Sequence, residues 1–369
     1  MSNVLPNTPT EDSTDTGFVA TNAASSGIKL DKKKLKAMSR RSDRPGLIYL
    51  AQWFVFLIVT GAMIPLAITY TPETWVLGSS IWANPVLWVA MFIYGIFLSV
   101  PSYSMSHETA HGTAFKTRWL NETVLWFTSL IYVEEPLHRR YTHTNHHTYT
   151  WFVGKDSQMP FDTPMDFKGW LLEITGLGLA QFHLRALVRL TVGNFSPMML
   201  EVIPEAELPK LTRNARIFVL IYAALAGLVI MGQIWPLLFF VIPRIIGAPV
   251  MLLFTLIQHV ELQENSPSIV QSTRSFTTSW LGRFLYMDMN NHVEHHLYPQ
   301  VPYYALPELH RAIKDQLPEN DPGFWRTNLQ VLSVVFRRSL GRNTKAASIR
   351  QAPHMITDGS YERVAGKTM

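Results

Sequence analysis

The run from Leu47 to Tyr70 contains no ionised side chain, and this constrains the fold more than any other feature of the chain. As a helix at about 1.5 Å per residue it is long enough to cross a hydrocarbon core of ~30 Å. A lipid-exposed segment must satisfy its own backbone hydrogen bonds, so such a run is a helix. Pro85–Tyr103 and Ile217–Trp235 are also uncharged, and Pro236–Ile257 is interrupted only by Arg244. Charged residues make up 16% of the 369-residue chain, below the roughly 25% of ordinary soluble domains, and they lie between these runs.

The distribution of basic residues orients the spans. Lys32, Lys33, Lys34, Lys36, Arg40 and Arg41 precede the first run, whereas Thr71–Asn84 carries Glu73, no Lys or Arg, and two interface-type aromatics, Trp75 and Trp82. The connection Gly232–Pro236 also lacks basic residues. The positive-inside rule then places the N-terminus, the long middle segment and the C-terminal third on the cytoplasmic side. The expected fold is an all-α integral membrane protein: four transmembrane helices, over about 47–70, 85–105, 217–235 and 236–257, with a cytosolic helical cap. Residues 1–46 are expected to be a disordered basic segment, 47–312 the membrane domain and 313–369 a polar tail, mobile after about Arg338. No signal-peptide pattern and no internal repeat is visible. For a bacterial chain the location would be the inner membrane, with both termini cytoplasmic.

Three segments need separate treatment. Trp119–Val133 is apolar but short for a span, and basic residues flank it; it is expected to be re-entrant or interfacial. Gly169–Leu190 mixes Leu with Glu173, His183, Arg185 and Arg189, which suits an amphipathic helix on the cytoplasmic surface. Arg244 is read as snorkelling or buried against protein beside Pro243.

The chain has no Cys, which excludes disulfides, thiolate ligands, cysteine-held iron–sulfur clusters and a Cys nucleophile. A metal would have to be held by His, carboxylates or amides. The formal charge of +5 is not a nucleic-acid footprint, because the basic residues cluster beside apolar segments; no nucleic-acid partner is expected. Arg139, Arg140, Arg185 and Arg189 are expected to meet anionic lipid, with an acidic electron carrier as the alternative.

The histidines carry the chemistry. His107 and His111 are four apart and share a helix face; His143, His146 and His147 stand at i, i+3 and i+4, and His292, His295 and His296 repeat that spacing. His107 and His259 each follow the start of their span by just over twenty residues and emerge at the same membrane side. All nine can converge on one cytoplasmic site. One ion needs fewer ligands and two can use nine, so a dinuclear centre is indicated while Zn, Cu, Fe and Ni stay open. His107-Glu108-Thr109-Ala110-His111 also satisfies the H-E-x-x-H pattern of zinc metallopeptidases, with Glu108 as the base. An intramembrane zinc protease would explain that motif and the spans but neither HxxHH triplet. A non-enzymatic metal-binding scaffold is the plainest alternative.

At HETAH (107–111), HTNHH (143–147) and HVEHH (292–296) the chain resembles the membrane fatty acid desaturase and hydroxylase family, whose signature is three histidine boxes in this order. The stretch RFLYMDMNNHVEHHLYPQVPYYALPELH (283–310) is especially similar to bacterial members, and the resemblance extends over about Ile48–His310. It implies a four-span bundle with a cytosolic cap and a non-haem di-iron centre, with His259 in the place of the extra ligand. It further implies two iron ions held by His107, His111, His143, His146, His147, His259, His292, His295 and His296, with O2 as co-substrate. His138, Glu294 and Asn291 are candidates for orienting an imidazole or holding a water.

The implied activity is O2-dependent desaturation of a lipid fatty acyl chain, or hydroxylation or monooxygenation of an alkyl or other small substrate by the same ligands. No His-Pro-Gly-Gly haem motif is present. Electrons would therefore come from a separate ferredoxin or cytochrome b5-like donor with its reductase.

Overall fold

The computed structural model describes residues 26–159, 163–318, 321 and 323–342. The N-terminal stretch before Ser26 and the tail beyond Arg342, expected to be disordered, lie outside the described residues. The fold is all-α, with no strand among the described residues beyond an isolated bridge between Phe276 and Asp321. The helices are α1 (Lys32–Met38), α2 (Asp43–Tyr70), α3 (Pro85–Ala110), α4 (Arg118–Tyr132), α5 (Pro136–Thr148), α6 (Phe167–Thr175), α7 (Leu177–Thr191), α8 (Pro197–Val202), α9 (Leu208–Ile230), α10 (Ile242–Leu256), α11 (Ile269–Ser272), α12 (Trp280–Leu285), α13 (His292–Leu297), α14 (Leu306–Ile313) and α15 (Phe324–Ser339).

Four helices are long and apolar enough to cross a membrane: Asp43–Tyr70, Pro85–Ala110, Glu205–Ile230 and Leu237–Leu256. The third starts before the expected 217 and ends at Ile230, because Gly232 takes a positive φ and turns the chain. Its first turns carry Lys210, Arg213 and Arg216, whose long stems let their charges reach the interface. The fourth opens with a π-helical turn, Leu237–Val241, before α10.

Asn84 ties the first two spans. Its Oδ1 accepts from the N–H groups of Val86 and Leu87, with Pro85 at the first helical position, while its Nδ2 donates to the Ala67 carbonyl at 2.9 Å. The tightest seam joins α3 to α10. A Cβ built on Gly247 would lie 2.2 Å from the carbonyl carbon and oxygen of Gly95, and one on Gly95 would lie 2.2 Å from the Pro243 carbonyl oxygen. Only glycine at both positions lets these backbones touch. In a membrane such van der Waals contact replaces the hydrophobic driving force between helices.

The segment expected to be re-entrant or interfacial is α4, too short to span, packed along α3. Val133 then takes a left-handed conformation (φ 71°) and the chain returns as α5. Arg244 is half-buried and turned onto protein rather than snorkelling. It donates to the carbonyls of Ile131 (3.3 Å) and Tyr132 (3.4 Å), the negative end of the α4 dipole. The amphipathic segment is not one helix but α6 and α7, bent by 61° at Gly176, and the pair together is apolar enough to count as a fifth, broken span.

The part of the basic segment within the described residues, 26–46, is ordered, contrary to the expectation of disorder up to residue 46. Ile28 and Met38 pack with Val293, Leu297, Leu306 and Leu309 in a core beneath α13. Past residue 313, where composition suggests only a polar tail, α15 buries Phe324, Val331 and Val335 in the same core as Phe254 and Tyr286.

Candidate metal centre

Three helices and one turn bring the histidines together. α3 ends with His107 inside its last turn and His111 as its C-cap. α5 starts at Pro136, capped by Glu135, whose Oε2 accepts the His138 N–H at 2.6 Å. It carries the second triplet on one face. α13 carries the third and is buried along its whole length. His259 sits in the turn just past α10.

The nine predicted histidines sort into two groups. His107, His111, His143, His147 and His295 form one; His146, His259, His292 and His296 form the other. Within each group one ring nitrogen per residue lies within 4.8 Å of all the others. Each triplet is split between groups, since i and i+4 point one way and i+3 is turned away. The groups adjoin, with the His147 and His296 rings stacked at 4.2 Å.

The ring nitrogens face one another. Nε2 of His147 is 3.1 Å from Nε2 of His143 and 3.2 Å from that of His295. In the second group Nε2 of His292 is 3.1 Å from that of His259 and 3.0 Å from that of His296. Bonds of about 2.1 Å to a shared ion at near-right angles would separate ligand nitrogens by about 3 Å. The Nδ1 partners set the tautomers. His146 Nδ1 meets Asp156 Oδ2 at 2.8 Å and His259 Nδ1 meets the Ser272 carbonyl at 2.9 Å; both partners only accept, so each Nδ1 carries the proton and each Nε2 a lone pair. His143 Nδ1 lies 3.0 Å from Gln158 Oε1, and His296 Nδ1 lies 3.1 Å from the Thr150 hydroxyl. Both nitrogens of His107 and Nε2 of His111 are buried without a hydrogen-bond partner. Inward lone pairs and orphaned nitrogens fit bound cations.

The electrostatics agree. Burial first, and the neighbouring imidazoles second, hold His111, His143, His147, His292 and His296 well below the ordinary histidine range. The same causes bring His259 and His295 down to about 3. Neutral imidazole is the form that ligates metal.

The candidate supporting residues sit differently from expectation. Glu294 accepts from the Ser275 hydroxyl at 2.6 Å and pairs with Nδ1 of His310, so it anchors α13 rather than orienting a histidine of either group. Asn291 donates from Nδ2 to the Asp288 carbonyl at 3.2 Å. His138 is held through Nδ1 by Glu134 at 2.9 Å and lines the cavity beside the groups. Glu108, the base the protease reading requires, is fully buried and accepts the Tyr303 N–H at 3.1 Å, which ties the cap to α3. It belongs to neither histidine group.

Sequence reasoning missed Asp156, Gln158, Thr150 and Ser272, which no spacing rule connects to the histidines. It also placed Arg139 on a lipid-facing surface. Arg139 is 3% exposed and lines the cavity, because its face of α5 is the one that carries His143. Arg140 does lie outward, paired with Glu122 at 3.0 Å. That cavity, about 140 Å³, runs from His107, His143, His146, His259 and His292 to the α6–α7 bend.

No curated protein matches the chain. The sequence model of the family described as fatty acid desaturase matches residues 80–328, about two thirds of the chain, including all three histidine boxes and His259. A match of that extent, over a four-span all-α fold that gathers the boxes, shows that this chain belongs to the fatty acid desaturase family.

Proposed function

We propose that the protein is a membrane-bound, O2-dependent di-iron oxidoreductase that desaturates a fatty acyl chain at the cytoplasmic membrane surface. The observation that carries this reading is the convergence of nine imidazoles into two adjoining groups of five and four. Two iron ions held there would supply reduction of O2 and an oxidant able to take hydrogen from an unactivated C–H bond; zinc has no such redox chemistry. In overall balance, O2, two electrons and two protons convert a –CH2–CH2– unit to –CH=CH– with release of two waters. The electrons come from an external ferredoxin or cytochrome b5-like donor and its reductase.

The chain's own contribution is positional. The split triplets hold the two ligand sets apart, and Asp156 and the Ser272 carbonyl keep the Nε2 lone pairs turned inward. The apolar walls of the cavity, Leu179, Phe182, Leu252 and Leu256, exclude water from the reacting carbon. Hydroxylation uses the same ligands and the same O2 and two electrons, with one oxygen atom entering the substrate and one leaving as water. Placement of the chain over the centre selects between the outcomes. The basic N-terminal segment and the two outer connections free of Lys and Arg support a cytoplasmic site.

The test is metal content of the detergent-purified protein, for wild type, His147→Ala and His296→Ala. About two irons per chain, diminished in both variants, is the expected result, followed by new double bonds in the total fatty acids, free and esterified, of cells expressing the wild type only. One zinc per chain, lost in His111→Ala but kept in the other two variants, would overturn the reading.

A further inference from the structure

We propose that Arg139 is the seat of a carboxylate on the substrate, held in the cavity one helical turn from the histidine groups. Arg139 and His143 stand at i and i+4 on α5, so they share a face about 6 Å apart along the axis. The guanidinium lies 4.8 Å from the Tyr103 ring centroid and lines the cavity next to the histidines. The Tyr103 side chain is its neutral neighbour, and no carboxylate or carbonyl oxygen lies within hydrogen-bond distance of its buried Nε and Nη2. The acid beside it, Glu134, places Oε2 3.9 Å from Nη1 and meets His138 Nδ1 at 2.9 Å through its other oxygen. The other arginine at this end of the fold, Arg244, donates to two backbone carbonyls.

A buried guanidinium whose Nε and Nη2 meet no charged acceptor is costly, and its planar fork matches a carboxylate. Glu134 meets it only through Nη1 at 3.9 Å, while Leu179, Phe182, Leu252 and Leu256 form an apolar wall across the same cavity. The ligand this combination recognises is a free monocarboxylic acid with a compact apolar body. An esterified lipid has lost the charge that the site is built to meet. The geometry also fixes where oxidation falls: with the carboxylate on Arg139, the carbons that reach the histidine groups are those within a few bonds of it. The oxidation site follows from the di-iron reading above, whereas carboxylate binding does not depend on it.

The test uses full-length protein in detergent, with octanoate and methyl octanoate as probes and thermal unfolding as the readout. Wild type, Arg139→Gln, Arg139→Lys and Arg140→Gln are titrated in parallel, so micelle partitioning cancels between variants. Octanoate is expected to bind wild type and Arg140→Gln alike, and Arg139→Gln at least about tenfold more weakly, with Arg139→Lys between. Methyl octanoate should not distinguish the variants. Metal content unchanged in Arg139→Gln shows the histidine groups intact. Equal binding of acid and ester by wild type, equal binding of octanoate by wild type and Arg139→Gln, or tighter binding of octyl phosphate than octanoate would overturn the proposal. If Arg139→Gln does not fold, the acid-against-ester comparison on wild type decides alone. Failure of the di-iron reading is seen separately, as absence of iron with the octanoate preference intact.

Discussion

Asp156 Oδ2 lies 2.8 Å from Nδ1 of His146 and accepts the backbone N–H of Trp151 at the same distance. Its other oxygen accepts the Gln158 N–H at 2.8 Å. One carboxylate thus orients a histidine of the four-membered group and folds the loop that follows α5. Burial alone would raise its pKa, but His146 and the hydrogen bonds outweigh this and keep it ionised.

Asp156→Asn is therefore expected to weaken metal binding at the four-histidine group by roughly 10–100-fold while sparing the five-histidine group. Metal per chain, followed against increasing chelator, should show one ion leaving early and one late. Simultaneous loss of both would mean that Asp156 supports the whole cap instead.

Acid should destabilise the metal-free protein. His259 and His295 have folded pKa values of about 3, against 6.5 for an ordinary histidine. Between those values the unfolded chain binds more protons than the folded one, so stability is full above 6.5 and declines as pH falls toward about 3. Melting temperatures of chelator-stripped protein should drop steadily over that window. A flat profile down to pH ~4 would contradict burial of neutral imidazoles.

Gly247→Ala should loosen the α3–α10 seam. The added methyl meets the Gly95 backbone at 2.2 Å and cannot be accommodated by a side-chain rotation, so a cost of about 1–3 kcal/mol is expected. Gly227→Ala, where a Cβ meets nothing within 4 Å, is the control and should be neutral or slightly stabilising. The readout is thermal unfolding in detergent.

Arg338 joins the far end of α15 to the turn after His259. Its Nη1 and Nη2 donate to the two oxygens of Glu261 at 2.5 and 2.6 Å, and Nη1 also reaches the Met165 carbonyl. Ending the chain after residue 318 should lower stability and metal content together, because Phe324, Val331 and Val335 leave the core. Arg338→Gln should lower metal retention at the four-histidine group alone, read by the same chelator titration. Full metal retention in both would show α15 to be dispensable.

The sequence by itself determined the spans and the set of histidines that come together. Apolar length is a local property, and lipid leaves a long uncharged run no alternative to helix; the i, i+3, i+4 spacing likewise forces imidazoles onto one side of a turn. All nine histidines read from spacing are the nine that the fold assembles. Only the tertiary structure decided how they divide, because the 300° swept by i+3 and the 400° swept by i+4 point at different neighbours once three helices converge. It also decided that Asp156 backs His146, that Gly95 and Gly247 meet, and that α15 closes the core. These depend on contacts between residues far apart in the chain, to which local periodicity is blind. Arg139 shows the difference most clearly: in sequence it reads with Arg140 as a pair meeting lipid headgroups, yet a rotation of about 100° along α5 buries the one and leaves the other half-exposed.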